Sequence, residues 1–177
     1  MIRFWLFLAC ITATLAGTPP PDARAQSSAV RALFEPYTGE WTGEFRIFTL
    51  NGALKSTIQV HQRYFWDGDT QKVVITDRYP DGRIERSNAL NYLDGDTPVC
   101  LVRKADGTVV RLIGQKQAGR LFWKNDAPQQ QKYEIFKEYV DTIGGASLYF
   151  IDGLGVYGSG EHRTILIFEG RYRKVRR

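Results

Sequence analysis

Five Asx-Gly dipeptides punctuate the chain at near-regular intervals: Asn51-Gly52, Asp67-Gly68, Asp81-Gly82, Asp94-Gly95 and Asp106-Gly107 stand 16, 14, 13 and 12 residues apart. Asn, Asp and Gly tolerate the positive φ angles that tight hairpin turns demand, so such a series specifies successive antiparallel strands. Between and beyond these turns run β-branched and aromatic stretches with period two. They predict strands at 41–49, 55–66, 71–79, 83–93, 99–104, 108–113, 119–124, 132–141, 146–152 and 162–174. A sixth dipeptide, Asp152-Gly153, predicts a later bend. Strands joined by short hairpins are neighbours, which gives an up-and-down meander. About ten of them favour closure, because an open sheet of that width leaves two long unpaired edges. The expected fold is all-β: an antiparallel up-and-down β-barrel of about ten strands. One short N-terminal helix precedes it over Gln26 to Pro36, with Ser28 as N-cap and Val30, Leu33 and Phe34 at helical spacing.

The alternation assigns faces. In 55–66 the set Ile58, Val60, Gln62, Tyr64 and Trp66 is the more apolar and is placed inside. In the last strand His162, Thr164, Leu166, Phe168 and Tyr172 are placed inside, the charged alternate set outside. In 83–93 the inward set is Ile84, Arg86, Asn88, Leu90 and Tyr92, which is partly polar. Two readings stay open there: a cavity that holds water or a polar ligand group, or a register off by one residue that sends these side chains to solvent.

Residues 1 to 25 read as a secretory signal peptide. Arg3 precedes the apolar run Phe4 to Ala16, and Ala23-Arg24-Ala25 offers an A-x-A cleavage site before Gln26. The rival, a lipoprotein box at Leu8-Ala9-Cys10, leaves too little chain ahead of Cys10 for the usual anatomy. Residues 26–177 then form a single domain, expected in the periplasm or secreted. The leader takes Arg3, Arg24 and Asp22 with it and leaves 22 basic against 18 acidic side chains. No other stretch is apolar enough to cross a membrane as a helix. The mild charge and the barrel pattern make nucleic acid an unexpected partner, and the basic end of Arg171, Arg173, Lys174, Arg176 and Arg177 reads as a solvated strand and tail.

The segment Phe34-Glu35-Pro36-Tyr37-Thr38-Gly39-Glu40-Trp41 leads a short helix into Gly39-x-Trp41 at the start of the first strand. It resembles the opening of the lipocalin and fatty-acid-binding-protein superfamily, the calycins. The resemblance implies that Trp41 plugs one end of the barrel and that an arginine of the final strand packs across it. Arg171 or Arg173 is the matching candidate.

Chemical signatures are few. Gly153-Leu154-Gly155-Val156-Tyr157-Gly158 matches the dinucleotide fingerprint, but a strand pattern follows where a helix is required, so the glycines are expected to form a loose loop. Two histidines 101 positions apart make no zinc site. His162, if inward, is enough to ligate a haem, and haem barrels of the nitrobindin type resemble this architecture. Cys100 lies in an apolar run and reads as a small buried hydrophobe, and a Ser159/His162 dyad lacks an orienting acid. The leading expectation is a barrel that binds a small, apolar or amphipathic ligand inside, without catalysis, cofactor or metal. Its candidate contacts are Tyr64, Trp66, Arg86, Asn88, Tyr92, Tyr139, Phe150 and His162, with Arg86 pairing an acidic head group. A barrel enzyme or haem protein using His162 and an envelope interaction module with a filled core are the alternatives.

Overall fold

The computed structural model describes residues 21–125 and 131–175, with side chains from Ser27 onward. Most of the expected leader, residues 126–130 and Arg176-Arg177 lie outside the described residues. Helix α1 (Pro21–Phe34) runs through a 3-10 turn (Glu35–Tyr37) into ten strands: β1 (Gly39–Thr49), β2 (Leu54–Asp67), β3 (Thr70–Arg78), β4 (Ile84–Asp94), β5 (Thr97–Lys104), β6 (Val109–Gln117), β7 (Arg120–Asn125), β8 (Lys132–Ile143), β9 (Ala146–Tyr157) and β10 (Thr164–Lys174). Each pairs antiparallel with the next, and β1 pairs with β10, Trp41 opposite Lys174, to close the barrel. All five Asx-Gly dipeptides fall at hairpin turns, as their backbone preferences require.

Three expectations are corrected. The helix starts at Pro21, whose fixed φ suits a first helical turn, so Ser28 lies within it and is no N-cap. Asp152-Gly153 is no bend, and the glycine-rich run is no loose loop: β9 continues to Tyr157. Gly153 and Gly155 take inward positions where a Cβ would stand 2.5 Å from the Phe136 ring and 2.7 Å from the Tyr157 ring. The missing side chains make room for aromatic ones, and the Phe45, Phe136 and Phe168 rings stack there with centroids 5.6 and 5.7 Å apart.

The opposite end is stoppered by α1. Val30, Leu33 and Phe34 are buried against the barrel, and Trp41, fully buried, donates its indole N–H to the Tyr37 carbonyl at 2.7 Å. Gln71 locks the cap by donating to the Phe34 carbonyl at 2.8 Å and to the Thr38 hydroxyl at 3.1 Å. Trp66 donates to Glu35 at 2.7 Å, and Arg31 lies 4.6 Å over its ring. Among the described residues, no helix is long and apolar enough to cross a membrane.

Candidate functional site

Directly beneath the stopper the barrel encloses a cavity of about 110 Å³, with walls from α1, the 3-10 turn and β2 to β9. Aromatic rings dominate it: Phe34, Tyr37, Tyr64, Trp123 and Tyr149. Trp123 reaches this position because its partner across the β6–β7 ladder is Gly114, where a Cβ would meet the indole at 2.6 Å. The Phe34 ring lies parallel to the indole, with centroids 6.4 Å apart.

Into this apolar shell projects one carboxyl, Glu138 of β8. It accepts hydrogen bonds from Trp123 and Tyr149, yet burial outweighs them and pushes its pKa up to about 7. Among the described residues, no Lys, Arg or His lines the cavity. Burial together with the Glu138 charge pushes the Tyr37, Tyr64, Tyr149 and Tyr172 hydroxyls and the Cys100 thiol well above their ordinary values, so all stay protonated. Cys100 is therefore no thiolate nucleophile.

The polar groups are short of donors. Tyr64 donates to Gln62 at 2.9 Å and lies 3.2 Å from the Tyr149 hydroxyl, so two hydroxyl hydrogens serve contacts to Gln62, to each other and to Glu138. Asn91 donates to Gln71 at 3.0 Å, while its own Oδ1 is buried with no partner. Buried acceptors left unpaired cost about 1–3 kcal/mol, so such an atom facing a cavity marks a place where something else supplies the hydrogen.

Of the residues the sequence singled out, Tyr64 lines this cavity. Trp66 points inward but serves the helix cap. Arg86 and Asn88 are exposed and Tyr92 is half-buried on the outer face, which overturns their inward assignment. The inward set of β4 is Glu85, Ser87, Ala89, Asn91 and Leu93. Small and polar side chains suit that wall because Ala89 and Asn91 share the cavity with the bulky Tyr64, Trp123 and Tyr149. Tyr139 and Phe150 stack at 4.8 Å on the outside of the barrel, with Arg120 over Tyr139 and Arg171 over Phe150. His162 is exposed in a 3-10 turn between β9 and β10, so the inward histidine of the haem reading is not there. Arg171 turns outward to Asp152 at 2.7 Å and Arg173 is exposed; the cation over Trp41 is Lys174, at 5.3 Å. Glu138 and Asn91 went unnoticed in the sequence, while Trp123, one of the aromatics expected as cavity lining or core, does line the chamber. The signal available was Gly144-Gly145, a hairpin turn that sets Ile143 opposite Ala146 and hence Glu138 opposite the inward Ile151.

A second, larger concavity of about 610 Å³ lies on the outer face of β6–β9, floored by Ile113, Phe122, Ile135 and Leu154 and edged by Lys124 and Lys137.

Fold and chamber together define a class: a closed ten-stranded antiparallel barrel whose interior is aromatic-walled and acidic. Among solved structures it is similar to the S-type phycobiliprotein lyase CPES from Guillardia theta. The TM-score is 0.60 at 8% identity, over 89% of this chain and 99% of that one. A de novo designed fluorescence-activating beta barrel overlays 80% of this chain and 95% of its own, with TM-score 0.37 and 9% identity. The first likeness is one of fold. No protein-family model matches the chain, and no curated protein sequence does.

Proposed function

We propose that the protein is an exported, lipocalin-like barrel that binds a small, largely apolar ligand in the chamber beneath α1, without catalysis. The observation that carries this reading is a 110 Å³ cavity inside the barrel, walled by aromatic rings and lined also by Glu138, which has no cationic partner there, and by Asn91, whose amide oxygen is buried without a hydrogen-bond partner. A cavity of ~150 Å³ holds a benzene ring, so the chamber suits a compact molecule of about four heavy atoms. The lipocalin reading is supported by Gly39-x-Trp41, with Trp41 buried at the stoppered end under a cation of β10. Export to the periplasm or beyond is supported by the leader-like residues 1–25. The described side chains of α1 that hold it to the barrel, from Ser27 through Phe34, all follow the expected cleavage site.

Native mass spectrometry with an absorbance spectrum, on the chain purified from the periplasm, tests this. A polypeptide beginning at Gln26 and carrying a stoichiometric small adduct is expected, and Val102→Phe, which fills the chamber, should lose the adduct. Retention by that variant would move the site to the outer groove. A Soret band would replace the reading with haem, and a bare protein that excludes apolar probes would replace it with an envelope interaction module.

A further inference from the structure

The chamber's polarity is one-sided. Glu138, Asn91 Oδ1 and Gln62 Oε1 are acceptors; Trp123 and the two tyrosine hydroxyls that face them are already committed, and the Gln62 amide N–H group is a neutral donor that supplies no counter-charge. Asn91 is only 5% exposed, so its orphaned oxygen has no route to bulk water. A carboxyl without a counter-cation, ringed by π faces, is the arrangement that attracts a positive charge: the carboxylate supplies the charge and the rings their negative faces. From this we infer that the chamber's ligand is a small primary ammonium ion, its charge on Glu138, one N–H on Asn91 Oδ1 and its short alkyl part against the aromatic wall. An ammonium offers three N–H donors and no acceptor, which matches what the site lacks. The proposal rests on the interior-binding reading and specifies its chemistry. It reverses the expectation that Arg86 would meet an acidic head group, since Arg86 is on the outer face and the interior charge is negative.

The partner's charge can be read against its shape. n-Propylamine and n-propanol are nearly isosteric, and the amine stays protonated below pH 9, as a lysine side chain does. At pH 8 the full-length mature protein should bind n-propylamine at least tenfold more tightly than n-propanol by calorimetry, and Glu138→Gln should lose at least that tenfold. The groups that face Glu138, namely Tyr37, Tyr64, Tyr149, Tyr172 and Cys100, stay protonated throughout, so its own ionisation alone sets the pH response. The wild-type affinity for the amine should therefore rise about tenfold from pH 6 to pH 8, while that for the alcohol stays flat. This second measurement needs no variant to fold. Equal affinities for amine and alcohol, or an amine affinity independent of pH, would overturn the ammonium assignment and leave interior binding standing. If neither molecule enters and apolar probes are excluded as well, interior binding itself falls.

Discussion

Glu134 and Glu138 stand four positions apart on the same inward face of β8 and are treated differently by their surroundings. Glu134 has Lys132 at 3.0 Å, the Asn125 amide at 3.2 Å and the Tyr157 hydroxyl at 2.5 Å. Glu138 has neutral donors only. An acid whose folded pKa is raised binds its proton longer in the native state than in the unfolded one, so native stability falls as pH rises from the unfolded value, 4.5, to about 7. The penalty is absent below that window and complete above it, on the order of 3 kcal/mol for a shift of this size. Glu138→Gln should therefore be more stable than the wild type at pH 8 by up to that amount and indistinguishable at pH 4, as urea denaturation at both pH values will show. A wild type that gains stability on the variant between pH 5 and 8 would contradict the assignment. This residue was hidden in the sequence, because Tyr133, Ile135 and Tyr139 make the other face of β8 look like the buried one.

At the scale of elements, legibility follows how each wall is packed. β2 shows its inward face openly, since Ile58, Val60, Gln62 and Tyr64 are buried as the alternation indicates. β4 and β8 conceal theirs at the level of the chamber: where bulky rings arrive from the facing walls, the local side chains are Ala89, Asn91 and Glu138, small or polar, although Phe136 and Val140 of β8 and Leu93 of β4 point inward above and below. β9 hides its length because its inward glycines carry the signature of a loop, although they admit the rings of neighbouring strands. The short helix was legible in Val30, Leu33 and Phe34, but its attachment was not, since Gln71 lies more than thirty residues away in sequence. Gln71 is fully buried and bonds at once to Phe34, Thr38 and Asn91. Gln71→Leu leaves several buried groups unpaired and should cost about 2–4 kcal/mol. Hydrogen exchange should find the loss concentrated in α1, with amides there exchanging faster than those of the β8–β9 hairpin; uniform loss across the barrel would deny the cap its independence.

For the molecule as a whole, the decisive contact joins the two ends of the sequence. The ladder from Trp41–Lys174 to Thr49–Leu166 closes the barrel and removes both sheet edges. Its formation brings together strands more than a hundred residues apart, which places folding in the slow regime of non-local β topologies, roughly milliseconds to seconds. A chain ending after Arg163 would expose the edges of β1 and β9 along their whole length, and size-exclusion chromatography should find it aggregated, with no monomer peak. A monomeric, folded fragment would mean that closure is dispensable. The ten-strand count and meander were legible because turn chemistry is local. That β10 returns to β1 was an inference from the cost of open edges, and the register of that closure is set by packing around Trp41 and Tyr172.

The indole of Trp123 gives this architecture a spectroscopic voice. Of the three tryptophans that follow Gln26, Trp41 lies under the ammonium of Lys174 and Trp66 under the guanidinium of Arg31. Trp66 donates its N–H to the Glu35 carboxylate of the exposed cap, and of the three it is Trp123 that donates to the chamber's own carboxyl, Glu138. Its emission therefore carries the charge state of the chamber, and a change of wavelength or intensity from that single fluorophore, without any added dye, marks the moment at which the interior is filled or emptied.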